Sequence, residues 1–518
     1  MTRTLNLTFA LAVFSLISPI SGAHADDESI RAAECNVILS GNALSQEWVA
    51  KQIERMKNQD PTLTRLQTIV HQVGLKPAAI NEQILKNHNT DYTFILKGQS
   101  VKNQLQTGRC WDFSAGSVLC TPLTTSGIFP SNFEISENYV WFYTLLERSN
   151  RYIDNLMKKT ATGMDPKTIQ MNSIPHIPEG GYFHSFVEIV KKYGVVPKSA
   201  MPETAGSSRK GLTDELELML SDFGLKWVDS VRRISNLRSN TMGFISTSKR
   251  QAVMKELEQK KSEVMQGVFQ ILATHLGIPP TEFKLRLNMP VQPKDPPEPV
   301  MEFSATEKMM TPKELVELTG FNKEEWVTVS NFPSREFGRV YQLPDTDEIV
   351  PEDGERPEML KLLNLPMDRM LELIEATLKE GYPVEFDSDV MNNTEFNQGI
   401  MHPDLFDTDA VYGGAVDRQE LLKSRQKLGY MFKNHATHAM DIIGVDHPNA
   451  NDKAVKFLVL NSWGPQAGDG GLLHMYREWA EQFVENINIP KRLLSPEEQK
   501  MLEQSPIVIK DEASLYRK

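Results

Sequence analysis

Gln104-Leu-Gln-Thr-Gly-Arg-Cys110-Trp111 places a cysteine six residues after a glutamine and directly before an aromatic. Working outward from it, the next informative residues lie far downstream. They are His438, in Thr437-His-Ala-Met440, and Asn461, in Asn461-Ser-Trp-Gly464. The order Gln, Cys, His, Asn is what thiol-dependent acyl transfer needs. Cys110 attacks a carbonyl, His438 takes the thiol proton, Asn461 orients His438, and Gln104 donates a hydrogen bond to the oxyanion. A lone Cys or a lone His would mean little; four roles in order, each in its local context, make a specific signal.

Each residue also has a plainer reading. Cys110 could be a buried structural thiol, but its place between Gly108-Arg109 and Trp111 favours a nucleophile. At the first turn of a helix, the helix dipole and a neighbouring imidazolium would both favour thiolate. Gln104 alone would be a surface residue. His435 and His438 have a His-x-x-His spacing, but zinc needs a third ligand and usually a glutamate base, and neither is near. Trp463 could be core; in its Asn-Ser-Trp-Gly setting it is expected to shield the His438–Asn461 hydrogen bond from water. Trp111 is expected to shape the site beside the nucleophile. Gly468-Asp-Gly-Gly471 follows a motif rather than preceding a helix, so it reads as a loop and not a phosphate cradle. No cofactor and no metal are expected.

The bulk numbers bound the class. The 518 residues suffice for one large or two to three ordinary domains, and 40% apolar with 24% charged content predicts a globular core. The net charge of −12 argues against a nucleic-acid partner, which needs a concentrated basic surface. Residues 1–25 read as a signal peptide: Arg3, then a mostly apolar Leu5 to Ile20, then Ala23-His-Ala25 before Asp26. That apolar run is short and interrupted, so cleavage is favoured over an anchor. The mature chain is expected to be exported, periplasmic or secreted, with no stable membrane anchor. Three cysteines are too few for a disulfide scaffold. A helix over 110–120 would separate Cys110 and Cys120 by about 15 Å, beyond the roughly 7 Å that a disulfide allows. A Cys35–Cys120 bond and three free thiols both remain open.

Residues 26–90 predict short helices in a polar N-terminal region. A helix is predicted from Cys110 to Pro122, another over 136–158 with Ser136 as N-cap, and a third from Gly180 to Gly194. Residues 212–277 show helical periodicity, rich in Leu, Glu, Lys and Gln, with a break near Gly243. Pro290 to Pro299 reads as an extended linker or loop and 340–360 as an acidic loop; helix returns over 366–380. Two strands are predicted, His438 to Val445 and Ala454 to Asn461, around the turn-forming His447-Pro-Asn-Ala-Asn-Asp-Lys453. A hairpin centred on Asn449 and Ala450 would put His438 directly opposite Asn461, unless a bulge shifts the register.

At these residues the chain resembles the papain-like cysteine peptidases, within them the bleomycin hydrolase / aminopeptidase C branch. The likeness rests on Asn103-Gln104, Gly108-Arg-Cys-Trp111, Thr437-His-Ala-Met440 and Val459-Leu-Asn-Ser-Trp-Gly464. It extends to Lys191-Lys-Tyr-Gly-Val-Val-Pro-Lys198, Pro202-Glu-Thr204 and Leu276-Gly-Ile-Pro-Pro280. The resemblance implies an α+β fold of two lobes, a papain-like cysteine peptidase with a large helical insertion. The implied layout is a helical lobe with the nucleophile at 91–204, an insertion resembling an oligomerisation hook at 205–330, a β-rich lobe with His and Asn at 331–485, and a C-terminal arm at 486–518. It implies a homohexamer around a channel, peptide substrates and aminopeptidase activity. An endopeptidase of the same fold and a non-catalytic peptide-binding scaffold are the alternatives. The chain departs from the family in its export signal, in Asp112 after the Cys-Trp pair, and in Lys510-Asp-Glu-Ala-Ser514 near its end. An arm in the cleft would set a terminal carboxylate near the substrate's amino group.

Overall fold

The computed structural model describes residues 46–58, 61–161, 174–235, 247–290, 303–343, 359–413, 424, 435–449, 452–509 and 515. The expected signal peptide, Cys35 and its pairing, the break near Gly243, the proline-dense stretch after Pro290 and most of the acidic loop lie outside these residues. The chain divides between Gly74 and Leu75 into two compact units. The described part of the first is two helices, Gln46–Lys57 and Pro61–Val73, neither of which buries a residue.

The second unit carries a helical lobe and a β-rich lobe. The helix Cys110–Thr125 is buried on all sides, every residue from Trp111 to Thr121 included, as befits a helix at the centre of a core. It runs past Pro122 instead of ending there. The imide lacks only the bond to the Val118 carbonyl, and packing outweighs that local loss. Ser136 caps the helix Glu137–Ala161: its Oγ accepts from the Tyr139 N–H at 3.0 Å. The helix Phe183–Tyr193 closes at Gly194, whose φ of 79° is the left-handed region. A Cβ there would lie 2.3 Å from the Pro312 carbonyl carbon.

The stretch expected as an insertion does not stand apart. Its helices Leu212–Ser235 and Thr247–Leu276 bury Leu216, Leu220, Trp227, Val231, Leu257 and Leu272 in the same hydrophobic cluster as Trp111 and Phe142. Trp227 Nε1 donates to Thr160 Oγ1 at 3.0 Å, tying it to the preceding long helix.

In chain order the strands are β1 (Phe94–Ile95), β2 (Phe283–Pro290), β3 (Phe303–Met310), β4 (Trp326–Ser330), β5 (Arg339–Gln342), β6 (Lys361–Asn364) and β7 (Val384–Ser388). They continue with β8 (Thr394–Glu395), β9 (Ile400–Met401), β10 (His438–Asp446), β11 (Lys456–Leu460), β12 (Leu472–Tyr476), β13 (Val484–Pro490) and β14 (Ile507–Val508). β2 and β3 pair with each other, on either side of the proline-dense stretch. The rest form one sheet in the order β14-β5-β6-β4-β13-β7-β10-β11-β12-β9-β8, with β1 also paired to β10. The expected boundaries at 330 and 485 therefore fall at the end of β4 and inside β13, two strands of this sheet. The helix Met367–Lys379 covers one sheet face with Met370, Leu371 and Ile374, against Val384, Ile442 and Ile487. Among the described residues no helix is long and apolar enough to cross a membrane.

Candidate active site

Cys110 is the first residue of its helix and is partly open to a cleft. The turn before it is held from below. The buried Arg109 guanidinium grips Glu203 with two nitrogens, at 3.1 and 2.8 Å, and donates to the Ser207 carbonyl at 2.8 Å. The Gly108 N–H donates to Glu179 Oε2 at 2.8 Å, and Trp111 Nε1 to the Glu179 carbonyl at 3.1 Å. Gly181 lies against the Trp111 ring, where an added Cβ would fall 2.7 Å from Cε2. Asp112, the departure after Trp111, is fully buried and is not part of the cleft wall. Burial and then the Glu137 charge push its carboxyl well above the usual range.

His438 begins β10, and Asn461 follows β11. The register is not the one expected. Asp441 faces Leu460 and Ile442 faces Val459; after a bulge between Ile442 and Gly444, Gly444 faces Leu458. At the open end the pairing is thus two residues out from the simple hairpin. A shift of two keeps both side chains on one face and makes them diagonal neighbours; a shift of one would have parted them. His438 Nε2 lies 2.9 Å from Asn461 Oδ1, which also accepts the Ser462 N–H at 2.8 Å. Trp463 covers the pair, its ring 4.6 Å from the His438 ring and tilted 31°.

Gln104 is stitched to the other lobe. Its N–H donates to the Ser462 carbonyl at 2.8 Å, and its Oε1 accepts from Ser462 Oγ at 2.5 Å. Its Nε2 donates to the Thr107 carbonyl at 2.6 Å. Gln104, Cys110, His438 and Trp463 line one open cleft of about 760 Å³. Trp111 and Asn461 lie behind that surface, both buried. Sequence reasoning did not find three further lining residues, Tyr182, Asp387 and Asn486. Pro383-Val-Glu-Phe386 alternates as a strand does, and that pattern, carried one residue further, is the available signal for Asp387.

Burial dominates the electrostatics. It pulls the His438 imidazolium down to about 4, against the hydrogen bond to Asn461, which favours the charged ring. It pushes the Cys110 thiol up to about 12, with the Asp387 and Glu385 charges adding to the rise; the Ala439 and Trp111 N–H groups work the other way. Thiolate is expected from the helix dipole together with a neighbouring imidazolium, and burial opposes both parts of that expectation. In the cleft as it stands, thiol and neutral imidazole are the favoured pair, and proton transfer between them becomes favourable only when the two charges form together. Among the described residues no group of three or more His, Cys, Asp or Glu side chains is placed to hold a metal.

Comparison with known proteins follows the same lines. The model of the peptidase C1-like family matches residues 43–515. Aminopeptidase G of Lactobacillus delbrueckii subsp. lactis is 26% identical over 457 residues, 87% of this chain and 94% of that one. An aminopeptidase C of Listeria monocytogenes is 27% identical over 476 residues, 90% of this chain and 98% of that one. The crystal structure of PepW from Lactobacillus rhamnosis superposes with a TM-score of 0.73 at 24% identity, covering 90% of this chain and 97% of that one. That likeness shows the papain-like α+β fold.

Proposed function

The chain belongs to the peptidase C1-like family, and from that premise we propose that it is a thiol aminopeptidase acting through a Cys110 acyl-enzyme. The observation that carries the reading is the hydrogen bond between His438 Nε2 and Asn461 Oδ1, at the edge of the cleft into which Cys110 opens. Because Asn461 Oδ1 also accepts the Ser462 N–H, it can only accept from the imidazole. That puts the ring proton on Nε2 and leaves the Nδ1 lone pair for the thiol proton. The Cys110 sulfur adds to the scissile carbonyl as its proton passes to Nδ1. The Cys110 N–H and the second N–H of Gln104 Nε2, the first being bonded to Thr107, donate to the oxyanion. Collapse expels the leaving amine, which takes the proton from His438, and a thioester remains. Water, deprotonated by His438, then cleaves the thioester and releases the acid.

Two observations favour an exopeptidase over an endopeptidase. The curated relatives reported above are named aminopeptidases. The described end of the arm, Leu515, is buried, and its carbonyl accepts from Ser334 Oγ at 2.9 Å. Leu515 shares a small pocket with Tyr182, Asp387 and Asn486, which also line the catalytic cleft. The arm thus reaches the cleft edge, where it can limit how far a peptide extends beyond its first residue.

We also propose export by residues 1–25 and assembly into a closed hexamer. The first rests on the charged, apolar and small-residue pattern, the second on the family resemblance. Mass spectrometry of secreted protein beginning near Asp26, and light scattering of the mature chain, test these two. Turnover of matched peptides with free and acetylated N-termini tests the aminopeptidase reading. Hydrolysis confined to free N-termini supports it, and equal turnover of both contradicts it.

A further inference from the structure

The cleft contains a carboxylate that the chemistry above does not use. Asp387 lines it together with Cys110 and His438. It lies on β7 directly opposite Ala439, the residue after His438. Among the described residues of the cleft it is the one acidic side chain, and none is Lys or Arg. Strand alternation places Glu385 on the same face, while Val384 and Phe386 enter the β-lobe core. This face is built in layers. Ser330 Oγ donates to Asn486 Oδ1 at 2.7 Å, and Asn486 Nδ2 donates to Asp387 Oδ2 at 3.4 Å. Beside them Thr328 Oγ1 donates to Asn488 Oδ1 at 2.6 Å, and Asn488 Nδ2 donates to Glu385 Oε2. Glu385 is fully buried, and its Oε1 has no hydrogen-bond partner among the described residues. The arrangement seats the Asp387 carboxylate beside the nucleophile through Asn486, above a Glu385 carboxyl that burial and the Asp387 charge push well above the usual range.

On the reading that the enzyme is an aminopeptidase, we propose that Asp387 receives the α-ammonium of the substrate's first residue and thereby selects free N-termini. Covalent geometry supports the placement. In an aminopeptidase substrate the ammonium nitrogen is two bonds from the scissile carbonyl carbon, about 2.5 Å away. The receiver must therefore stand next to Cys110, as Asp387 does, and not at a distant end of the cleft. The pairing also has a chemical consequence. The Asp387 charge opposes thiolate at Cys110, so an ammonium docked on Asp387 removes part of that opposition as the substrate arrives. A blocked N-terminus supplies no such charge.

The test measures kcat/KM for an aminoacyl anilide and for its des-amino analogue, on wild type and on Asp387→Asn. Each protein serves as its own reference through the ratio of the two substrates, and iodoacetamide titration of Cys110 counts intact sites. Wild type is expected to favour the amine. Asp387→Asn should cut that preference by about 30-fold or more, the loss expected when a charge-assisted partner in a desolvated site is removed. Neutral iodoacetamide should alkylate Cys110 faster in the variant, because the opposing charge is gone; general damage to the site would not speed it. Asp387→Ser repeats the test if the amide disturbs the layer. An unchanged preference in these variants overturns the proposal. Absence of any preference in wild type overturns the aminopeptidase reading itself.

Discussion

His438 and Asn461 stand diagonally across two strands, 2.9 Å apart at Nε2 and Oδ1, under the ring of Trp463. The bond orients the imidazole and fixes its tautomer. Asn461→Ala should therefore lower kcat by on the order of 100-fold, in the range for a misoriented general base, with a much smaller change in KM. Trp463→Ala should lower it less, because it admits water to the bond without deleting it. Steady-state kinetics on one substrate checks both, and an unchanged kcat in Asn461→Ala would remove the orienting role.

Gly181 has no room for a side chain, since a Cβ would meet Trp111 at 2.7 Å. Gly181→Ala should cost about 1–3 kcal/mol as overpacking. Because Trp111 adjoins Cys110, activity should fall more than stability alone explains. Chemical denaturation and kcat/KM on the same preparation separate the two effects.

The helices expected as an insertion share the helical-lobe core. Trp227 is 1% exposed and hydrogen-bonded to Thr160. Trp227→Ala should destabilise the protein by about 3–5 kcal/mol, as for other buried large-to-small changes. Denaturation that moves by less than about 1 kcal/mol would mean that the two helices fold as an independent hook.

Much of this was legible in the chain. The nucleophile turn, its helix and the strand carrying His438 follow from motif and pattern, because each motif is short and local. The register between His438 and Asn461 was not, because the bulge between Ile442 and Gly444 is marked only by Gly444, which does not say how the pairing shifts. β13 was hidden for another reason. Glu485, Asn486 and Asn488 read as surface, yet the strand is buried throughout. Asp387 and Glu385, about a hundred positions earlier, provide partners for Asn486 and Asn488. Asp387 escaped notice for the same cause: one acid in a strand gains meaning only when folding sets it beside Cys110. The burial of Trp227 and Leu272 was not legible either, because the surface they pack against lies elsewhere in the chain.

Asp441 lies three residues beyond His438, buried, with Ser114 Oγ donating to it at 3.0 Å. Burial raises its carboxyl to about 7, against Lys102, Ser114 and Ser117, which lower it. The folded state then holds this proton more tightly than the unfolded chain. The group's stability contribution is full below about pH 4, its unfolded range, and is lost as pH rises to about 7. Asp441→Asn should flatten this loss, gaining stability at pH 8 relative to pH 5 when compared with wild type. Thermal melts of both proteins across that range check the sign; a parallel pair of curves would place the Asp441 titration outside it.

The most direct test of the account is single-turnover reaction of the mature enzyme with a free-amine aminoacyl thioester or anilide, quenched in acid and mapped by mass spectrometry. An aminoacyl group on Cys110 is expected in the wild type. Cys110→Ala should form no adduct and lose hydrolysis, with His438→Ala nearly as impaired because the two act as a unit. An adduct on another residue, or full turnover by Cys110→Ala, would contradict it.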